Sequence, residues 1–170
     1  MTKVPVAILL AVCLQTVVPV LAAPPSGVGT LGIIKPPTHW GKKALSSQDF
    51  PEVSISNSFH PATDDGQIIL LGGLKDPATP LPVLIESISE SITRQGDLIT
   101  SSQRAPLCNG AAEGWRLTYL DRRRRLRVVE AILANHVHGA AAIYLRPKNS
   151  LEDGAATSAL STLCLVAFPQ

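Results

Sequence analysis

The residues best equipped for chemistry are gathered in Asp121-Arg122-Arg123-Arg124-Arg125-Leu126-Arg127, five arginines in six positions. A guanidinium stays charged at all relevant pH and offers a planar fork of donors, so such a run suits phosphate or carboxylate groups better than lysines would. Arg116 joins it if the strands on either side alternate. His136-Val137-His138 is the second constellation, since His-x-His on a strand sends both imidazoles to one side, as in several metal sites. Here the pair falls in an expected turn before Gly139, and a third ligand would have to come from His60, His39 or a distant carboxylate, so both histidines read as surface residues and no metal is assigned. Glu130 is the third. It falls on the side of Trp115, Leu117 and Val128, which predicts a half-buried carboxyl with a raised pKa. Gly72-Gly73 lacks the rest of a phosphate-binding loop, and Gly-x-Ser-x-Gly and His-Glu-x-x-His are both missing. No catalytic residue and no cofactor is therefore assigned.

The remaining reactive side chains are cysteines, three of them in 170 residues. Cys13 lies in a segment that reads as a secretory signal: Met1 to Lys3 form a positive start, Val4 to Leu14 are apolar apart from Pro5, and Val20 and Ala22 suit the peptidase pockets. Cleavage is expected after Ala22. Val4 to Ala23 also reaches the ~20 residues of a membrane anchor, but Gln15, Thr16 and Pro19 weigh against that reading, and Val12 before Cys13 does not fit a lipobox. Cleavage leaves Cys108 and Cys164, an even pair that in an oxidising compartment reads as a disulfide. Removing Lys3 takes the 15 Lys and Arg to 14 against 13 Asp and Glu, a net +1. That balance, with no aromatics between the arginines, excludes nucleic acid as a partner. With 45% hydrophobic residues the chain is also no disordered scaffold.

Three segments follow from this division. Residues 1–22 are the signal, 23–38 are a flexible Pro/Gly-rich leader, and 39–170 form one α+β domain. Within the domain, Val53, Ile55 and Phe59 predict a short irregular strand, and Gln67 to Leu71 a buried one closed by Gly72 and Gly73. Thr79 and Pro80 open a helix whose Leu81, Leu84, Ile85, Ile88 and Ile92 recur at helical spacing, with Gly96 as its stop. Leu98 to Ser102 form a strand, Pro106 to Gly114 a loop carrying Cys108, and Trp115, Leu117 and Tyr119 alternate along the next strand. Leu126, Val128 and Ile132 alternate after the arginine turn, and an even-numbered loop is required to put both apolar sets on one face. On that hairpin Arg125 and Arg127 share a face with Arg116 and Thr118. Val129, Ala131 and Leu133 make the second strand apolar on both sides, hence central and covered by a helix. Ala140 to Arg146 return as a third antiparallel strand, and Ser150 with Asp153 forms a capping box for a last helix ending near Cys164.

Strands, helix, three or four antiparallel strands and a helix make an α+β fold in layers. The helix Leu81 to Arg94, the hairpin around Gly114, Trp115, Arg116, Leu117, Thr118 and Tyr119, and the closing helix after Asp153 resemble the PsbP-like family, named for the extrinsic protein of photosystem II. The resemblance is one of architecture over roughly residues 48 to 165. It implies a curved antiparallel sheet flanked by two helices, and an exported binding, assembly or adaptor role with no shared catalytic site to carry over.

The reading is thus a secreted or periplasmic, non-catalytic binding or adaptor protein that meets an anionic partner through Arg116, Arg122, Arg123, Arg124, Arg125 and Arg127. Anionic lipid, acidic polysaccharide and an acidic protein surface are the partner classes. A small secreted hydrolase or metal-dependent enzyme using His136, His138 or Glu130 is the alternative. Intact mass of the exported protein checks the processing and the bridge together: a chain starting at Ala23 that gains two hydrogens on reduction is expected, and two free thiols would contradict the disulfide.

Overall fold

Alternation along the strands decides which element covers which face. The computed structural model describes residues 32–44, 50, 52–63 and 65–166. The signal segment and the first part of the leader lie outside these residues. In chain order the elements are β1 (Gly32–Ile33), β2 (Trp40–Ala44), β3 (Val53–Pro61), β4 (Ile68–Leu74), α1 (Leu81–Arg94), β5 (Leu98–Leu107), a 3-10 turn (Cys108–Gly110), β6 (Ala112–Asp121), β7 (Leu126–Ala134), β8 (Gly139–Pro147), α2 (Gly154–Leu160) and β9 (Cys164–Leu165). Seven strands form one antiparallel sheet in the order β2-β3-β4-β8-β7-β6-β5, and β1 pairs with β9 in a separate ribbon. The fold is α+β, with a helix against each face of the sheet.

One face carries Leu70, Leu117, Val128, Ile132 and Ile143, packed beneath Leu84, Ile85, Ile88 and Ile92 of α1. The other carries Phe59, Ile69, Leu71, Val129, Ala131, Leu133 and Tyr144, packed against Ala156, Ala159 and Leu160 of α2 and Leu163. As expected, β7 is central and apolar on both sides. Fully burying one such aliphatic side chain contributes about 1.5–3 kcal/mol, so neither face can stay uncovered. In β3 the register shifts between Ile55 and Asn57. The bulge reverses the alternation, which is why Val53 and Ile55 join the α1 cluster while Phe59 joins the α2 cluster.

Several local expectations require correction. The leader does not run free to Thr38: Gly32 packs against β8, where a Cβ would stand 2.4 Å from that of Ala140. Lys35 N–H donates to Thr162 Oγ1 at 2.7 Å, which ties the same segment to the end of α2. Gly72 and Gly73 do not close β4 but lie inside it, because a Cβ on Gly72 would meet Ser54 O at 2.4 Å. Thr79 is not the cap of α1. Its hydroxyl donates to Asp76 at 2.6 Å, and Pro80 takes the cap position without a side-chain bond. At the other end the stop at Gly96 holds: Gly96 N–H donates to Thr93 O and Asp97 N–H to Ile92 O.

The loop expected over Pro106 to Gly114 is mostly strand. β5 continues to Leu107, and Pro106 is tolerated because β5 is a sheet edge. The chain reverses through Cys108, Asn109 and Gly110, all at positive φ. α2 is shorter than expected and is capped by Asp153 alone, which accepts from Ala155 and Ala156 N–H, whereas Ser150 donates to Pro147 O.

Cys108 and Cys164 form the disulfide, with Cα atoms 4.6 Å apart across 56 residues. Asn109 N–H also donates to Ser161 O at 3.2 Å, so the β5–β6 turn is stapled twice to the chain after α2. Loop-closure entropy at this separation is worth about 4 kcal/mol. The double variant Cys108→Ser/Cys164→Ser should lose a stability of that order in urea unfolding, and an unchanged midpoint would contradict a structural role for the bridge.

Candidate functional site

The even-loop requirement is met: Asp121 faces Leu126, leaving Arg122–Arg125 as a four-residue turn. Its backbone is held from three sides. Asp97 Oδ1 accepts from Arg122 N–H at 2.9 Å, Asp121 Oδ1 accepts from Arg124 N–H at 2.7 Å, and Lys148 N–H donates to Arg125 O at 2.8 Å. The four side chains are exposed on this fixed frame. Asp121 also lies 3.9 Å from Arg124 Nε, so one carboxylate faces one of the guanidiniums.

Arg127 stands exposed on β7 beside the turn, opposite Leu120. Arg125 is a turn residue at φ +58 and not a strand position on Arg127's face, as the alternation had it. Arg116 does share that face but belongs elsewhere. Its Nη2 donates to Ser161 Oγ at 2.8 Å, and its buried Nε has no partner among the described residues. It lies four residues from Arg127 along the hairpin, about 13 Å at ~3.3 Å per residue. The structure therefore brings together Arg122, Arg123, Arg124, Arg125 and Arg127, and sets Arg116 apart under the end of α2.

Beneath the tip, between α1 and the sheet, lies a cavity of about 870 Å³. Ile88 and Ile92 of α1 and Leu70 and Leu145 of the sheet line it, with Arg123 and Arg124 at the exposed mouth. Glu130 opens into it from the middle of β7 and is only 4% exposed. No described residue gives its carboxyl a hydrogen bond or an ion pair. Burial alone pushes its pKa up to about 7. Tyr119, across the floor, is pushed up as well, first by burial and then by the charge of Glu130. The parity of β7 placed Glu130 on the correct face, but the cavity over it arises from how α1 and the Glu52–Val53 and Asp97 segments meet, which no local pattern encodes.

Among the described residues no metal site forms around the histidine pair. His136 sits at φ +68 in a turn whose Val137 and His138 N–H groups donate to Asn135 Oδ1. Of the suggested third ligands, His39 lies 3.8 Å from Asp153, and His60 Nε2 is 3.0 Å from Ser58 Oγ. Among the described residues no three His, Cys, Asp or Glu side chains converge as a metal site. No histidine lines the cavity that holds Glu130, so the groups of the enzyme alternative are not brought together.

Fold and site together define a disulfide-linked, two-helix antiparallel-sheet protein with a basic tip over a cavity of mixed apolar and charged lining. No family model and no curated protein matches the chain. Among solved structures it is similar to the solution structure of cyanobacterial PsbP (CyanoP) from Synechocystis sp. PCC 6803, with a TM-score of 0.54 and 8% identity over 87% of this chain and 99% of that one. The likeness is one of fold, and it matches the architecture that the sequence resemblance implied.

Glu130 makes stability depend on pH. Its folded pKa lies above the unfolded 4.5, so the folded state holds an extra proton between about pH 4.5 and 7. The associated stability is complete below pH 4.5 and is lost as pH rises through 7, about 3 kcal/mol in all. Urea unfolding from pH 5 to 8 should show the parent losing stability relative to Glu130→Gln by that order, and parallel profiles would contradict the buried, unpaired state.

Proposed function

We propose that the chain is an exported, non-catalytic binding protein, matured after Ala22, whose β6–β7 tip docks on an anionic surface outside the cytoplasm. The disulfide supports an oxidising compartment. Among the described residues no helix is long and apolar enough to cross a membrane. The observation that carries the reading is the tip itself: four consecutive exposed arginines on a backbone pinned by Asp97, Asp121 and Lys148, with Arg127 beside them. A pinned turn loses little backbone entropy on contact, and its forks can each engage a phosphate or carboxylate oxygen pair.

An anionic bilayer is the partner this geometry fits best. The five groups crowd one end of a hairpin, so several can reach a surface at once, and each contributes about 1 kcal/mol near anionic lipid. Together they support reversible, salt-sensitive attachment, since the field decays within about 8 Å at physiological ionic strength. Arg116 takes no part, because Ser161 holds it.

The test is co-sedimentation with phosphatidylglycerol–phosphatidylcholine vesicles. The parent should pellet with them at low salt and be released as salt rises, while Arg122→Ala/Arg123→Ala/Arg125→Ala/Arg127→Ala stays in the supernatant. Equal pelleting of parent and variant would remove the tip from the function.

A further inference from the structure

Among the described residues the buried polar or charged side chains include Ser58, Glu130 and Arg146. Ser58 donates to Lys43 O, and Arg146 donates to Ser150 O and Glu152. Glu130 has no partner among the described residues, and it opens into the cavity. A buried carboxyl without a hydrogen bond is costly to keep unless something outside the chain completes it. The charged lining tells which sign is missing: Glu52, Asp97, Asp121 and Glu130 stand against Arg123 and Arg124, and Asp121 already faces Arg124. The remaining lining is mostly apolar, with Tyr119, Ser91 and Gln95 as its neutral polar groups. At about 870 Å³ the space matches pockets for small organic ligands. A bare metal ion is a poor occupant, since among the described residues no three His, Cys, Asp or Glu side chains converge to replace its hydration shell.

We propose that this cavity binds a small amphiphilic amine, its apolar body between Ile88, Ile92, Leu70 and Leu145 and its ammonium on the Glu130 carboxylate. An ammonium supplies three donors to a group that only accepts, and it supplies the positive charge that the protein withholds. The arrangement also orients the ligand, because Glu130 is buried whereas Arg123 and Arg124 lie at the exposed end. This site does not rest on the docking reading: it uses the interior of the α1 face and shares with the tip only Arg123, Arg124 and Asp121 at its mouth.

Protonation gives the binding a direction. An alkylammonium keeps its charge through pH 8, whereas Glu130, with its pKa near 7, goes from mostly neutral at pH 6 to mostly ionised at pH 8. Amine affinity should therefore rise by about tenfold over that interval. Tyr119 of β6, Glu52 before β3, Asp97 before β5, and Asp121, Arg123 and Arg124 at the hairpin tip also face the cavity. α1 and its C-cap Gln95 bring no titratable group there, only Ile88, Ile92 and the neutral polar Ser91 and Gln95, and the residues from β4 and β8 are aliphatic. A flat profile in Glu130→Gln separates Glu130 from all of the other titratable groups.

The experiment compares decylamine, decan-1-ol and decanoate by calorimetry on the purified, disulfide-bonded protein and on Glu130→Gln. The parent should bind the amine about tenfold more tightly than the alcohol, as expected for hydrogen bonds to a charged group, and Glu130→Gln should bring the two together. An undiminished amine preference in Glu130→Gln, tighter binding of decanoate than of decylamine, or no binding of any of the three would overturn the proposal. If Glu130→Gln does not fold, the carboxyl carbon of Glu130 in the parent decides by NMR. Its titration midpoint should fall when decylamine is added, and an unmoved midpoint would overturn the assignment.

Discussion

Strand β7, Leu126–Ala134, is buried on both faces, and most of the architecture follows from that constraint. An apolar strand in the middle of a sheet needs a cover on each side. α1 supplies one with four buried aliphatic residues. α2 is only seven residues long and cannot supply the other alone, so the second face is completed by Leu163, the β1–β9 ribbon and the Cys108–Cys164 bridge. The disulfide is therefore more than a chain clip. It fixes the short helix and its following strand over the end of the hairpin where β5 and β6 turn.

The same strand carries the one group that contradicts it. Glu130 faces Leu117 and Ile143 across its two neighbours, positions where an aliphatic side chain would pack without cost. Its buried carboxyl, unpaired among the described residues, opens into the cavity between α1 and the sheet. The mouth of that cavity is the arginine turn, so the two functional readings meet at Arg123 and Arg124. Attachment of the tip to a surface and occupation of the cavity concern opposite ends of one small region, the first exposed and screened, the second set between α1 and the sheet.

Much of this region was legible from local rules. The four-residue loop followed from register, because any odd loop would have turned the apolar side of one strand to solvent. The face of Glu130 followed from the same parity, α1 from its apolar spacing, and the bridge from cysteine arithmetic. What escaped was non-local. Gly32 docks on β8 because it has no Cβ to clash with Ala140, a contact that a count of glycines reads as flexibility. The bulge between Ile55 and Asn57 has no signature of its own, and Pro106 reads as a breaker unless β5 is known to be an edge. Arg116 alternates with Leu117 as expected, yet its partner Ser161 comes from 45 residues away. The cavity depends on three separate segments meeting, so only the assembled fold shows it.

The fold buries one carboxyl against a cavity in which no described side chain pairs with it. The most direct measurement is a carbon-detected NMR titration of the Glu130 side chain in the ligand-free, disulfide-bonded protein. A midpoint near 7, raised by burial, is the result this account requires. A midpoint in the ordinary glutamate range would mean that water or a protein group already satisfies Glu130, and would contradict it.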